Sequence, residues 1–518
     1  MSDLSFDAVV IGGGHNGLVA AGTLARAGKS VCVIEQSDHL GGMASSVDLG
    51  DGVVGPLMAH LVFNMDDKIA KELGLRDSLQ SDPLPSISLA PDGWHVVMEG
   101  RVARFANGRP HPDANAYRDL HDRLLRYAAL LSQLADRSPP QFSGGLSDLS
   151  TLRELAAMAK LGIDMKRLGK ADLREFLRVI LSNAYDLVLD EMSDGPLAGA
   201  ICADAVRGNF VGPRSPGTVF TLMYRMGAGG VPRLPKGGMG QLSQALGRAA
   251  EAAGAKIITG TGVSDIEVKD DVITGVTLSD GRQIATRAVL SSTGPMCTAQ
   301  LAGVENFDVE AVRRLRNMRA KGTVAKLNLV LRDVPRIDGL DDRLMAGRLL
   351  VAPSAEAVEQ SFNPAKYGEI GPRPVLEAVI PTLSEPDQSR AHVMSITIQH
   401  VPHTPGGGWD MVERERVIAS AVDQLEIHMP DLSSQITQAH LLTPADIEAA
   451  TGAPGGHWHH AEMGIDQILN LRPINGAGRY AFAVPGLYLC GAGAHPGGDV
   501  TGRPGRNSAK QLLQDGVI

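Results

Sequence analysis

Gly12, Gly14 and Gly17 stand in GxGxxG spacing, and Glu35 closes the apolar run that follows them. Those residue types in that order can cradle a pyrophosphate and hold a ribose. Gly12 permits the tight turn out of a strand, Gly14 lets the backbone approach a phosphate, and Gly17 lets a helix lie close on a sheet. A helix N-terminus at that point offers free N–H groups and partial positive charge to the same anion. Glu35 can accept from the ribose hydroxyls, and its charge repels the 2′-phosphate of NADP. The other reactive side chains are histidines: His495 after a glycine-dense loop, and His457, His459 and His460 in GGHWHHAE. A histidine titrates near neutrality and could take a proton as hydride leaves a substrate; a hydrogen bond to a loop carbonyl is the plainer role. Adjacent and alternating histidines point to different faces, and no cysteine or spaced acid completes a tetrahedral set, so no metal is expected.

The elements that must position these residues are written around them. Phe6 to Ile11 reads as a buried strand, Leu18 to Ala27 as a small-residue helix and Ser30 to Ile34 as a second strand, which is one βαβ unit. HLGGMASS then places Gly41 and Gly42 in a second close-approach turn, which a nicotinamide domain does not need and a flavin domain uses along the pyrophosphate and ribityl chain. That turn favours FAD over NAD. Leu234 to Pro295 gives a glycine turn, a helix, a strand, a hairpin (Val263 to Val268 and Val272 to Leu278) and a return strand, Ala288 to Ser292, with the backbone of Val263 within reach of an adenine. Leu487 to Cys490 is a strand, followed by the glycine loop and a helix from about Pro504. Its N-terminus suits the N1–C2=O edge of an isoalloxazine.

Between these parts the pattern changes. Residues 65 to 235 break the αβ rhythm, with helical periodicity at 113–135 and 151–189 around the turn-rich stretch 138–145, as in an inserted cap. Met158, Met165, Met192, Met223 and Met226 read as core filler. From 300 to 450 the strand-like runs 326–332 and 392–400 and the helix Glu413 to Met429 read as the sheet of a substrate domain.

At 518 residues the chain is long enough for two or three domains, and 49 basic against 58 acidic residues give −9, which offers no electrostatic case for nucleic acid. MSDLSFD leads straight into a strand, so no signal peptide is expected, and no apolar run is long enough to span a bilayer. The expectation is a cytoplasmic protein, with peripheral lipid contact left open. Cys32, Cys202, Cys297 and Cys490 form no CxxC, which removes disulfide-reductase chemistry and leaves four core cysteines.

The order GGGHNGL, PKGGMGQL, HAEMGIDQILNLRP and LYLCGAGAHPGGDVTGRPGRNSA resembles the FAD-dependent phytoene desaturase and carotenoid isomerase superfamily. Within it the chain is similar to the bacterial group related to pyridine nucleotide-disulphide oxidoreductase domain-containing protein 2. The resemblance implies an α/β fold. A glutathione-reductase-like, Rossmann-type FAD-binding domain would comprise 1–65, 234–295 and 475–518, beside a mixed-sheet and helical substrate domain of 66–233 and 296–474. It assigns Gly12, Gly14, Gly17, Glu35 and Val263 to the adenosine half of FAD, with His15 and Asn16 also among the cofactor-binding residues. Gly41, Gly42 and Met43 would lie near the pyrophosphate, and Gly491, Asp499, Val500 and Thr501 near the flavin. Met43 stands where many relatives have Arg, and Asp499 where many have a third glycine, which would put a carboxylate near the ring.

A single nucleotide fingerprint implies that electrons enter from a substrate C–H bond and leave to oxygen, a quinone or another acceptor. The expected reaction is oxidation or desaturation of a small organic, apolar or partly apolar molecule, with hydride passing to flavin N5. His495, His459, His460 and Asp499 are the catalytic candidates. His60, after GPLMAH, borders the substrate; Arg503 and Arg506 could bind a carboxylate, although pairing on a surface helix is simpler. Two other readings stand beside this one: a redox-neutral isomerase that needs reduced FAD, and a flavoprotein whose role is binding. An amine oxidase is set aside, because that family carries an acid in a C-terminal Gly-Glu pair where this chain has Gly491-Ala492.

Overall fold

The computed structural model describes residues 4–75, 83–140, 166, 169–384 and 391–518. Leu4–Ile11 forms the centre of the first sheet because its apolar run can be buried on both faces. It pairs in parallel with Val31–Ile34 on one side and Gln283–Ser291 on the other. Lys256–Ile258 extends one edge, and Leu487–Leu489 pairs in parallel with the last residues of Gln283–Ser291. The hairpin of Val263–Lys269 and Val272–Leu278 adds antiparallel strands to the other half of Gln283–Ser291. Helices His15–Arg26, Gly238–Ala252 and Arg503–Gln514 belong to the same part of the fold. Gly505 has no room for a Cβ, which would collide with the carbonyl of Asn16, so the last helix lies directly on the first.

The second sheet has eight strands, from Ile436–Leu442 through Val324–Leu331, His392–Gln399, Leu376–Val379, Arg348–Val351, Ser86–Ser88 and Val96–Glu99 to Val102–Phe105. The last three arise inside 66–233, where the sequence suggests only helices. They are three or four residues long, too short to show a period, and Ser86–Ser88 finds its parallel partner in Arg348–Val351, distant in sequence. One face of the sheet is apolar: Leu327, Leu329, Ile396, Ile398, Leu376 and Leu349 pack with Val417, Ala421 and Leu425 of helix Met411–Glu426. The opposite face is also buried, and it is polar.

Helices Ala114–Ala135, Gly169–Leu181, Ala184–Leu189, Pro196–Val206 and Thr218–Arg225 form one apolar cluster with Val96, Met98 and Leu350 of the sheet. Of the helix suggested for 151–189, the described part breaks at Ser182–Asn183, where the Asn183 side chain accepts from Asp186 N and starts a new helix. The remainder, with Met158 and Met165, and residues 141–145 of the turn-rich stretch lie outside the described residues. Among the described residues no helix is long and apolar enough to cross a membrane. The four cysteines are free thiols, three of them buried.

Candidate active site

The C-terminal ends of the parallel strands meet at Gly12, Glu35, Ser292 and Gly491. Gly12 leaves the first strand at φ +94°, a left-handed value that favours glycine, and its N–H donates to Ile34 O at 2.8 Å. A Cβ on Gly17 would collide with the Gly12 carbonyl, so the helix needs glycine there to reach the turn. Gly14 differs: the nearest atom to its Cβ position is Gly41 O at 3.9 Å, so nothing in the protein requires glycine. Space left open by the chain at a helix N-terminus is what a closely approaching anion needs. Glu35 accepts from Gly13 N at 2.6 Å and from Ser37 N at 2.8 Å, bracing the turn while keeping lone pairs for further donors. Thr261 N donates to Glu35 O and Gly260 N to Ser37 O, which brings the start of the Val263 strand alongside that acid. Gly41 N donates to Gly13 O at 2.9 Å, joining the two glycine turns.

The two ends of the chain come together here. His15 Nε2 bonds to Asp499 O at 3.2 Å, and Val500 packs in one cluster with Leu18, Val19 and Ala44. Thr501 is fully buried, its Oγ1 accepting from Arg503 N at 3.2 Å. Asp499 sits at φ +67°, its N–H donates to His459 Nδ1 at 3.0 Å, and its Oδ2 is buried with no hydrogen-bond partner among the described residues. The Asn16 side-chain oxygen, Ser45 Oγ and His460 Nδ1 are unpartnered in the same way. Polar atoms buried without partners are costly unless a bound group completes them.

Arg472 holds this loop in place. Its guanidinium, fully buried, donates to the carbonyls of His459, Ala461, Glu462 and Ala492. Burial lowers its pKa to about 10. The histidines around it are held neutral, again chiefly by burial: His460 and His495 titrate at about 4, His457 at about 3, and His459 well below the usual range. His495 accepts from Leu469 N on Nδ1 and therefore donates from Nε2 to Leu134 O, 3.0 Å away. Both ring nitrogens are engaged, so His495 fastens two loops and has no lone pair left for a substrate proton. The helix carrying Arg503 and Arg506 is likewise not a surface helix, because it is covered by the first helix and by residues 66–72 and 132–136. Arg503 pairs with Asp66 and Asp136, and Arg506 makes a bidentate pair with Glu72.

The polar face of the second sheet supplies a cluster that its composition conceals. Lys326, Asn328, Ser395, Thr397, Glu377 and Arg348 occupy alternate positions on neighbouring strands, all nearly inaccessible. His60 sits on them, with Nε2 2.8 Å from Glu377 Oε1 and Nδ1 2.9 Å from Lys326 Nζ. A carboxylate at Nε2 fixes the tautomer: His60 donates to Glu377 and accepts at Nδ1. Burial takes His60 down to about 3, and burial also carries Lys326 well below the usual lysine range. Burial would raise Glu377, but Arg207 and Arg348 outweigh it and keep the carboxylate ionised.

The cluster is tied to the histidine loop at two points. Gly322 N donates to Gly455 O just ahead of the Lys326 strand, and the Arg207 guanidinium lies 4.6 Å over the Trp458 ring. Met43 packs with Met58, Val324 and Trp458, so its side chain bridges the glycine turns to this face. Among the described residues no group of three or more His, Cys, Asp or Glu could hold a metal ion.

Comparison with known proteins gives this geometry a family. The signature of flavin-containing amine oxidoreductases matches residues 17–360. The chain belongs to that family. It is similar to pyridine nucleotide-disulfide oxidoreductase domain-containing protein 2 of Rattus norvegicus, at 30% identity over 98% of this chain and 94% of that one. It is also similar to a phytoene desaturase (lycopene-forming) of Pantoea ananas, at 25% identity over 98% and 99%. A putrescine oxidase variant redesigned in cofactor binding shares the fold, with a TM-score of 0.62 at 15% identity over 99% of this chain and 98% of that chain.

As a member of the flavin-containing amine oxidoreductases, the chain is an FAD-dependent oxidoreductase of the phytoene desaturase-like type. The residues present fit FAD: an open Gly14 at a helix N-terminus, an acid at the end of the second strand, and unpartnered buried polar atoms around Asp499 and His460. The absence of an acid after Gly491 does not exclude the chain from the family that the sequence reading set aside. Lys326, Glu377, Arg207 and Arg348 were missed because charged residues read as solvated. For Lys326 the signal is nonetheless present in KLNL and SITIQ, where every second residue is polar on strands too apolar to be surface.

Proposed function

We propose that this flavoenzyme dehydrogenates an organic, largely apolar molecule, removing hydride from one carbon and a proton from its neighbour to leave a double bond. FAD, when bound, supplies the hydride acceptor, and its electrons pass on to oxygen, a quinone or another acceptor. Gly12, Gly14, His15, Asn16, Gly17, Glu35 and Val263 would hold its adenosine half, Gly41, Gly42 and Met43 the middle, and Gly491, Asp499, Val500 and Thr501 the ring end. In this reading 1–65, 234–295 and 475–518 form the cofactor-binding unit, 66–233 and 296–474 form the substrate unit, and the enzyme works in the cytoplasm.

One observation carries the proposal: Lys326, whose pKa burial carries well below the usual lysine range, lies in hydrogen-bond contact with a neutral His60 on the buried polar face. A lysine with a lowered pKa is more readily the free amine, the form that can take a carbon-bound proton as hydride departs. His60 and Glu377 fix its position, and Arg207, stacked on Trp458, pairs with Glu377. His459 and His460 act beside it by orienting Asp499 and the loop. Anaerobic mixing of the holoenzyme with candidate apolar substrates tests the reading. Bleaching of the flavin bands with formation of an unsaturated product is expected; product without bleaching would replace it with the isomerase, and silence across a broad panel with a binding role.

A further inference from the structure

Phe63 also lines a cavity beneath the helices Ala114–Ala135, Pro196–Val206 and Thr218–Arg225. Met98, Leu120, Leu124, Ile201 and Leu222 give it apolar walls, and Asp204, Arg225 and Arg348 line it together with Tyr117 and His121. Arg225 is 6% exposed, and its guanidinium lies 3.7 Å from the Phe63 ring centre. Nη1 pairs with Asp204, whereas Nε and Nη2 have no acceptor among the described residues. Those two N–H groups form the edge of the guanidinium that matches a carboxylate bidentately.

The charge balance agrees. Among the described residues, only Asp204 and Glu377 pair with the buried Arg207, Arg225 and Arg348, so three guanidinium groups there face two carboxylates and leave one positive charge in excess. Burial, reinforced by Arg207 and Arg348, lowers Arg225 to about 10, the direction expected of a buried cation short of a counter-ion. One excess charge and one planar pair of donors suit a monocarboxylate. A phosphate would bring about two charges to a site with one in excess.

We propose that this cavity binds an apolar carboxylic acid, its carboxylate on Nε and Nη2 of Arg225 and its hydrocarbon part along Leu120, Leu124 and Leu222. The anchor belongs to the machinery already described. Tyr224, the preceding residue, donates its hydroxyl to Gly498 O at 3.0 Å, and Arg225 connects through Asp204, Arg348 and Glu377 to His60 and Lys326. Naming the acid as substrate rests on the proposed dehydrogenation; its binding does not.

Calorimetric titration of the holoenzyme with decanoate, decan-1-ol and decylamine, each below its micellar concentration, tests the site. Decanoate should bind at least ten-fold more tightly than the alcohol, the amine should not bind, and Arg225→Gln should remove the preference for the acid while leaving the flavin spectrum unchanged. Equal affinity for acid and alcohol in the wild type would mean that water serves the donors, and would overturn the inference without any variant having to fold. Undiminished preference in Arg225→Gln would overturn it as well. Whether bound decanoate bleaches the flavin bears only on the dehydrogenation, since a site that binds acids without reducing FAD would leave this proposal standing and remove that one.

Discussion

Two glycines of one turn do different work, and substitution separates them. Gly17→Ala pushes a methyl group into the Gly12 carbonyl and should cost roughly 1–3 kcal/mol of stability, read from urea denaturation of the apoprotein. Gly14→Ala meets no atom closer than 3.9 Å, so the apoprotein should be as stable as wild type while its affinity for FAD falls by roughly ten-fold or more, measured by flavin fluorescence. Lys326→Met should keep the cofactor and slow anaerobic flavin reduction by roughly 10²–10⁴-fold. The rate in the wild type should rise with pH through a midpoint well below that of an ordinary lysine, because burial favours the free amine, and this limb should vanish in the variant. These residues differ in how legible they are. The glycine turn is local, so its spacing announces it; Lys326 acquires its meaning from His60 and Glu377, which are remote in sequence and adjacent only after the sheet has formed.

At the scale of elements, the loop from Trp458 to Met463 is fixed by side chains rather than by secondary structure, with Arg472 at the centre and Asn209, Thr221 and Arg319 at its end. Arg472→Met leaves four carbonyl groups without their donor and should cost about 3 kcal/mol or more, measured as a shift in the urea midpoint, together with loss of bound FAD. Arg472→Lys should not restore either, because an ammonium cannot spread its donors over that fan of oxygens. The parallel strands were readable since a continuous β-branched run between glycines has few alternatives. Ser86–Ser88, Val96–Glu99 and Val102–Phe105 were not, since strands this short take their conformation from partners such as Leu349 and Val97 rather than from their own pattern. The polar face was half-visible: KLNLVL alternates as a strand should, but periodicity cannot tell a wet face from a dry one.

For the whole molecule, buried neutral histidines set the response to acid. His15, His400, His460 and His495 titrate at about 4 in the fold, and His60 and His457 at about 3, in each case first because of burial. Unfolding returns them to about 6.5. Below that value the unfolded chain binds protons that the native state refuses, so stability is present above pH 6.5 and is lost as pH falls toward 4. Each group contributes up to about 1.4 kcal/mol per pH unit within that window. Thermal unfolding followed from pH 8 to pH 4 should therefore show a steep fall in Tm below about 6.5, shallower in His400→Gln, which lies away from the cofactor turns.

The strand Leu487–Leu489 and the helix Arg503–Gln514, which rests on His15–Arg26, have a consequence for how the protein is made. The glycine turn at Gly12 is made several hundred residues before the strand and helix that pack beside it. Capture of the flavin should therefore wait for that later part: a chain halted before Leu487 would lack it and stay colourless, however well its earlier parts had folded.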